Sequence, residues 1–156
     1  MSIPIKKTKA IVTGGAGFIG SHLVDALIAE GYEVHVIDNL INGKKELINP
    51  KAKFYHVDIG SVHDVTNAFG LVGTGAYVFH LACLPRVSFS IEYPRKTHDA
   101  NVNGTFNVLM AAREFNAKRV IYSASSSAYG DQLTLPLVET MKPMPKSQKS
   151  ALMPGE

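Results

Sequence analysis

The sequence predicts an α/β protein, a doubly wound parallel sheet of about five strands in the order 3-2-1-4-5 with helices on both faces. Short apolar runs rich in β-branched residues alternate with segments of helical spacing. The first apolar run ends in a glycine-rich turn that opens a helix. Right-handed crossovers between parallel strands then give the strand order.

The elements follow one another through residues 9–125. The first strand is predicted at 9–15 and the first helix at 18–30, where Ile19, Leu23 and Leu27 recur at helical spacing before Gly31 ends the helix. The other predicted strands are 33–38, 53–58, 76–82 and 119–125. The other predicted helices are 61–69, which begins with Ser61 as N-cap, and 98–115. Residues 126–156 are rich in proline, so we predict a domain over 1–125 and a loop and tail over 126–156.

Length and composition bound the function. The 156 residues suffice for one compact domain. A net charge of +3 with scattered lysines gives no reason to expect a nucleic-acid partner. Cys83 is the only cysteine and cannot form an internal disulfide, which suits a reducing compartment. With no signal-like stretch and no apolar segment near the ~20 residues of a membrane span, we expect a cytoplasmic protein without a membrane partner.

The turn TGGAGFIG at 13–20 carries the first functional pattern. Gly14, Gly17 and Gly20 would allow, in that order, the tight turn, the approach of a pyrophosphate and close packing of the helix on the sheet. Asp38 ends the second strand, near the ~20-residue spacing at which an acidic residue hydrogen-bonds an adenosine ribose and disfavours a 2′-phosphate. We therefore predict a Rossmann-type site for NAD rather than NADP. The alternative is a glycine-rich turn without a ligand.

Four segments make the sequence similar to a known family. They are TGGAGFIGSHLVDALIAEGYEVHVIDNL at 13–40, HLAC at 80–83, NVNGT at 101–105 and SASSSAYGD at 123–131. The sequence resembles the extended short-chain dehydrogenase/reductases, specifically the NAD-dependent epimerase/dehydratases of sugar nucleotides, over about residues 8–147. Within that family it looks closest to the UDP-glucose and UDP-N-acetylglucosamine 4-epimerases. The resemblance implies NAD as cofactor, at most weak binding of a UDP-sugar, and no metal.

The resemblance also implies roles for individual residues. The residues implied at the pyrophosphate are Gly14, Gly17, Phe18, Ile19 and Gly20. Those implied at the adenosine ribose are Asp38 and Asn39, and those implied beside the adenine are Asp58 and Ile59. Those implied along the rest of the cofactor are Leu81, Ala82 and, in support from the long helix, Asn101. The implied catalytic residue is Ser125, which would hydrogen-bond the sugar hydroxyl being oxidised, with Ser126 and Ser127 beside it.

Some of these residues have simpler interpretations. Asp58 and the serines could merely hydrogen-bond loop N–H groups. His80 is better interpreted as a packed histidine at a strand end than as a catalyst. Cys83 lacks an evident activating base, so we do not expect it to be a nucleophile.

The resemblance fails at the proton-transfer pair of the family. The family's base is a tyrosinate, and a lysine one helical turn later helps a phenol of pKa near 10 to ionise. None of the six tyrosines here has a lysine four residues later. Lys149 stands at the tyrosine position and Met153 at the lysine position. We therefore expect a truncated, catalytically impaired chain without the C-terminal substrate domain, such as a frameshift after Ser147 would produce.

The helix predicted at 98–115 carries two apolar arcs. One arc holds Val102, Phe106, Leu109 and Met110, and the other holds Val108, Ala111, Ala112 and Phe115. One arc can cover the sheet. The other would then lack a partner, so we expect a homodimer or larger assembly through this helix, unless 126–156 folds back over it.

Three functions stay open at this point. The first is an impaired NAD-binding domain of a sugar-nucleotide epimerase/dehydratase. The second is an active epimerase or dehydratase completed by another chain. The third is a non-catalytic protein whose interactions respond to NAD.

Overall fold

The structure is a computed structural model that describes residues 7–130 and 135–143. The described residues fall into two compact units, one ending at Ser123 and the other beginning at Ala124. The second unit contains a short 3-10 turn, Ser126–Tyr129. The first unit holds the sheet and all the α-helices found among the described residues.

The sheet has five parallel strands in the order β3-β2-β1-β4-β5, which confirms the predicted fold class. The strands are β1 (Lys9–Thr13), β2 (Glu33–Asp38), β3 (Lys53–His56), β4 (Tyr77–His80) and β5 (Arg119–Tyr122). In the register of the central strands, Thr13 lies beside Ile37 on one side and His80 on the other. The carboxyl ends of β1, β2 and β4 therefore meet at one edge of the sheet.

Four of the predicted strands run two or three residues past their observed carboxyl ends. The residues beyond the ends form loops instead of pairing further. After β4, for example, the N–H of Leu81 still donates to the Thr13 carbonyl (3.1 Å), but that of Ala82 donates to the Thr13 hydroxyl (3.3 Å). At Ala82 the Thr13 side chain therefore takes the place of the backbone hydrogen bonds that join β1 and β4.

The helices are α1 (Phe18–Ala29), α2 (Val62–Val72), α3 (Val87–Glu92), α4 (Pro94–His98) and α5 (Gly104–Glu114). A 3-10 turn covers Lys45–Leu47. Ser61 caps α2 as predicted, since its hydroxyl accepts from the N–H of Asp64 (3.4 Å). The predicted helix at 98–115 is α5 preceded by a π-helical turn, Asp99–Asn103, and helical structure already begins at Pro94.

Two apolar clusters lie on opposite faces of the sheet, because alternate strand residues point to opposite sides. One cluster joins Ile11, Ile37 and Val78 to α2 and α5. The other joins Val12 and Val36 to α1. The helices therefore cover both faces. None of the helices in the described part of the chain is long and apolar enough to cross a membrane.

Candidate functional site

The glycine turn lies at the carboxyl end of β1, between the ends of β2 and β4. Gly14 has φ +73°, and a Cβ there would lie 2.8 Å from the backbone nitrogen of Ala82. Its N–H donates to the carbonyl of Ile37 in β2 (2.8 Å). A side chain at Gly14 would therefore be strained and would also push the three strand ends apart.

Gly20 brings α1 against the turn itself. A Cβ at Gly20 would lie 2.1 Å from the carbonyl oxygen of Gly14 and 2.8 Å from the Cα of Gly15. The close approach of the helix that was predicted at Gly20 is thus made to the backbone of the turn at the end of β1. Gly15, which the glycine spacing did not single out, is also tightly packed: a Cβ there would lie 2.7 Å from a methyl group of Val36.

The N-terminus of α1 is open. Gly17 occupies the N-cap position, and no side chain of the described residues caps the helix there. The first helical bond runs from the N–H of Ser21 to the carbonyl of Gly17 (2.9 Å), and Phe18 and Ile19 are 77% and 68% exposed. The first-turn N–H groups and the positive end of the helix dipole are thus available to an anion.

Asp38 ties the glycine turn to the end of β2. Its carboxylate is 8% exposed and accepts from the N–H of Ala16 (3.0 Å) on one oxygen and from the N–H of Leu40 (2.8 Å) on the other. A carboxylate has about four acceptor sites, so two bonds leave capacity for a further donor such as a hydroxyl. The ribose role of Asp38 stays a prediction.

Asn39, predicted at the ribose, and Asp58 and Ile59, predicted at the adenine, have different environments. Asn39 donates to the carboxylate of Asp58 (3.3 Å), whose other oxygen accepts from the N–H of Gly60 (2.8 Å). Asp58 does satisfy a loop N–H, as its simpler interpretation holds. Ile59 is only 6% exposed and packs in the core, where a Cβ at Gly104 would meet its side chain at 2.7 Å. Because the Ile59 side chain is buried in the core, only the backbone of Ile59 could contact a ligand.

His80 links three elements behind the turn. It is 1% exposed, its Nδ1 lies 2.6 Å from the Thr13 hydroxyl, and its Nε2 lies 2.9 Å from the Thr105 hydroxyl. The Thr105 hydroxyl donates its proton to the Asn101 carbonyl (2.7 Å), so the same hydroxyl must accept from the Nε2–H of His80. The Nδ1 of His80 then carries no proton and accepts from the Thr13 hydroxyl. Burial lowers the pKa of His80 to about 4, and the ring is neutral near pH 7. His80 is thus a packed residue at a strand end, as expected.

Asn101 holds the loop that follows β4. Its side chain accepts from the N–H of Leu84 (2.7 Å) and donates to the Leu84 carbonyl (3.0 Å). Leu81 and Ala82 lie just upstream, with their N–H groups bound to the Thr13 hydroxyl (3.2 and 3.3 Å). Asn101 therefore supports the site by fixing a loop, a contact that sequence alone did not predict.

The remaining predicted residues take part in none of the hydrogen bonds described above. Ser125 belongs to the second unit, where it is exposed and its hydroxyl accepts from the N–H of Ser127 (3.1 Å). Its catalytic role stays a prediction. Cys83 is exposed, and packing around its thiol raises the pKa, which keeps the sulfur protonated at neutral pH. Lys149 and Met153 lie outside the described residues.

Comparison with known proteins agrees with this geometry. The profile of the NAD dependent epimerase/dehydratase family matches residues 10–151. A UDP-glucose 4-epimerase from Lacticaseibacillus casei is 37% identical over 134 residues, which cover 86% of this chain and 40% of that protein. A Klebsiella pneumoniae UDP-glucose 4-epimerase is 36% identical over 139 residues, which cover 85% of this chain and 99% of that sequence.

Solved structures share the fold. The crystal structure of a Thermus thermophilus UDP-glucose 4-epimerase in complex with NAD is 37% identical to this chain and superposes with a TM-score of 0.81. The match covers 92% of this chain and 47% of that one. The chain spans about 40% of the length of the first curated relatives it matches.

Proposed function

Because the chain belongs to the NAD-dependent epimerase/dehydratase family, we propose that it binds NAD as the Rossmann-type region of a sugar-nucleotide epimerase/dehydratase. One observation carries the proposal: the buried Asp38 carboxylate holds the Ala16 N–H of the glycine turn beside the open N-terminus of α1. The helix N-terminus suits the pyrophosphate, and the spare acceptor sites of Asp38 suit a ribose hydroxyl. The UDP-glucose 4-epimerases among its relatives support a UDP-sugar as the substrate class.

The second part of the proposal is that these 156 residues by themselves turn over substrate slowly. None of the six tyrosines has a lysine four residues later, so the tyrosinate base of the family is missing from this sequence. Proton transfer by a positioned base contributes ~10²–10⁴ in rate. We therefore propose that the chain by itself retains NAD binding but epimerises UDP-glucose at a rate reduced by at least that factor.

Calorimetric titration tests the cofactor proposal. We expect micromolar binding of NAD, weaker binding of NADP because Asp38 repels a 2′-phosphate, and loss of affinity in Asp38→Ala. Asp64→Ala removes an exposed carboxylate on α2 and is the matched control, with affinity unchanged. Wild-type protein that binds no NAD would contradict the proposal, and rapid epimerisation of UDP-glucose would contradict the impairment alone.

A second copy of the chain is the partner that we propose for the outer face of α5. Val102, Phe106, Leu109 and Met110 are each at least 45% exposed on this face, whereas the opposite face packs Val108, Ala111 and Ala112 into the core. An exposed apolar patch of this kind favours association with a like face. The exposed Arg113 lies on the same side of the helix. Such association also leaves open an enzyme completed by another chain. Light scattering at tens of micromolar checks this, and a monomer would exclude it.

The cytoplasm is the compartment that we propose. The support is chemical, since Cys83 is the only cysteine of the sequence. A reducing compartment keeps such a thiol free. Fractionation of cells that express the tagged chain checks the location.

A further inference from the structure

A small cavity lies between the loops that follow β2 and β4. Its volume is about 160 Å³, and its lining residues are Ile41, Asn42, Leu84, Pro85, Arg86 and Phe89. Sites that enclose a whole small molecule are typically ~300–1,000 Å³. The cavity therefore has room for one group of a larger ligand.

Both walls of the cavity are fixed to the candidate site. On one side, Leu40 donates its N–H to Asp38 (2.8 Å) and Lys44 donates its N–H to the Ala16 carbonyl (3.0 Å), so Ile41 and Asn42 are held between two anchor points. On the other side, Asn101 holds both backbone groups of Leu84. Because β2 and β4 flank β1, the two walls rise on either side of the glycine turn.

Arg86 is the one charged residue that lines this cavity. Its side chain is exposed, and no carboxylate of the described residues lies within ion-pairing distance of it. The Asp38 carboxylate makes its two hydrogen bonds with backbone N–H groups and not with Arg86. An arginine with five free donors beside an apolar wall is suited to a phosphate, which it can bind through two parallel hydrogen bonds.

We propose that Arg86 is a positioning residue that binds a phosphate of the cofactor above the glycine turn. This inference rests on the proposed NAD site and names a residue that the glycine pattern does not include. The diphosphate would lie between the N-terminus of α1, which offers N–H groups and a partial charge, and Arg86, which offers a full charge. Asn101 contributes by fixing Leu84, two residues before Arg86.

Calorimetry with ADP-ribose, adenosine and UDP separates the parts of the ligand. In Arg86→Ala we expect about tenfold or greater loss of ADP-ribose affinity, since a hydrogen bond to a charged group is lost. Adenosine affinity should not change, because adenosine has no phosphate. Arg86→Lys keeps the charge but not the paired donors, so it should recover part of the loss. Arg95→Ala, an exposed arginine of α4 outside the cavity, is the matched control and should bind ADP-ribose like wild type.

The outcomes distinguish the two levels of proposal. If wild type binds ADP-ribose and Arg86→Ala binds it equally well, the role of Arg86 is refuted while the NAD site stands. If Arg86→Ala weakens UDP but not ADP-ribose, the cavity serves a different diphosphate, and the assignment of Arg86 to the cofactor is refuted while the NAD site stands. If wild type binds neither NAD nor ADP-ribose, the proposed function fails and this inference fails with it. Equal thermal midpoints for all variants show that each is folded.

Discussion

Two buried histidines on the strands that flank β1 differ in how their nitrogens are satisfied. His80, at the carboxyl end of β4, has a hydroxyl partner on each nitrogen. His35, within β2, has the Tyr55 hydroxyl 3.0 Å from Nδ1, while its Nε2 has no hydrogen-bond partner among the described residues and lies 3.5 Å from a Glu33 oxygen. Burial lowers the pKa of both rings. The comparison shows that the histidine at the carboxyl end of the sheet is kept neutral by burial between two hydroxyls, whereas the other histidine has a carboxylate within reach.

The strongest test of this comparison is the removal of His80. In His80→Ala the hydroxyls of Thr13 and Thr105 lose a buried partner, and a cavity forms behind the turn. We expect the free energy of unfolding to fall by about 3 kcal/mol, as is typical when a buried hydrogen-bonded side chain is truncated. Urea denaturation at pH 7 measures this, with the exposed His63→Ala as control. A loss below about 1 kcal/mol would show that the network contributes little.

A pH titration of stability is the next test. The pKa of His80 is about 4 when folded and near 6.5 when unfolded, so the unfolded state takes up the proton first as the pH falls. The contribution of His80 to the free energy of unfolding is therefore complete above pH 6.5 and is lost as the pH falls through about 4. The free energy of unfolding changes by up to about 3 kcal/mol over this range. The stabilities of wild type and His80→Ala should converge over this range. Parallel curves would contradict a neutral His80.

The smallest expected effect concerns Glu33. Burial lowers the pKa of His35, and the negative charge of Glu33 partly offsets that by raising it. The pKa of Glu33 itself is lowered by its hydrogen bond to the exposed Lys53. Glu33→Gln should therefore destabilise the protein by at most about 1 kcal/mol at pH 7, the range of surface ion pairs. It should also lower the pKa of His35 further, which NMR titration of the ring measures. An unchanged pKa would mean that Glu33 does not act on His35, and a rise would contradict the direction expected here.

Sequence predicted those parts of the molecule that depend on local pattern. The strand order, the glycine turn and the placement of Asp38 follow from apolar periodicity and from glycine at fixed spacing. The two arcs of α5 were predicted too, but not which arc covers the sheet. The structure shows the arc with Val108, Ala111 and Ala112 inside, and its small side chains allow close approach.

The parts that sequence could not predict depend on contacts between distant residues. Hydrogen bonds between different elements are the main example: Asn101 binds Leu84, and His80 binds Thr13 and Thr105. No rule of residue spacing in the sequence predicts such pairs. Helices α3 and α4 are short and carry no buried residue, so apolar periodicity gave no signal for them. Arg86 was missed for the same reason, since its position is meaningful only once two loops enclose a cavity.

The π-helical turn sets how this region can vary in length. The N–H of Gly104 donates to the Asp99 carbonyl five residues back, so the turn holds one residue more than an α-helix would. Deleting one residue there would restore regular helical winding without breaking the helix. It would also remove the wide turn in which Asn101 stands, so we expect the Asn101 amide to lose its place against Leu84. This segment should thus tolerate single replacements outside Asn101 better than the loss of one residue.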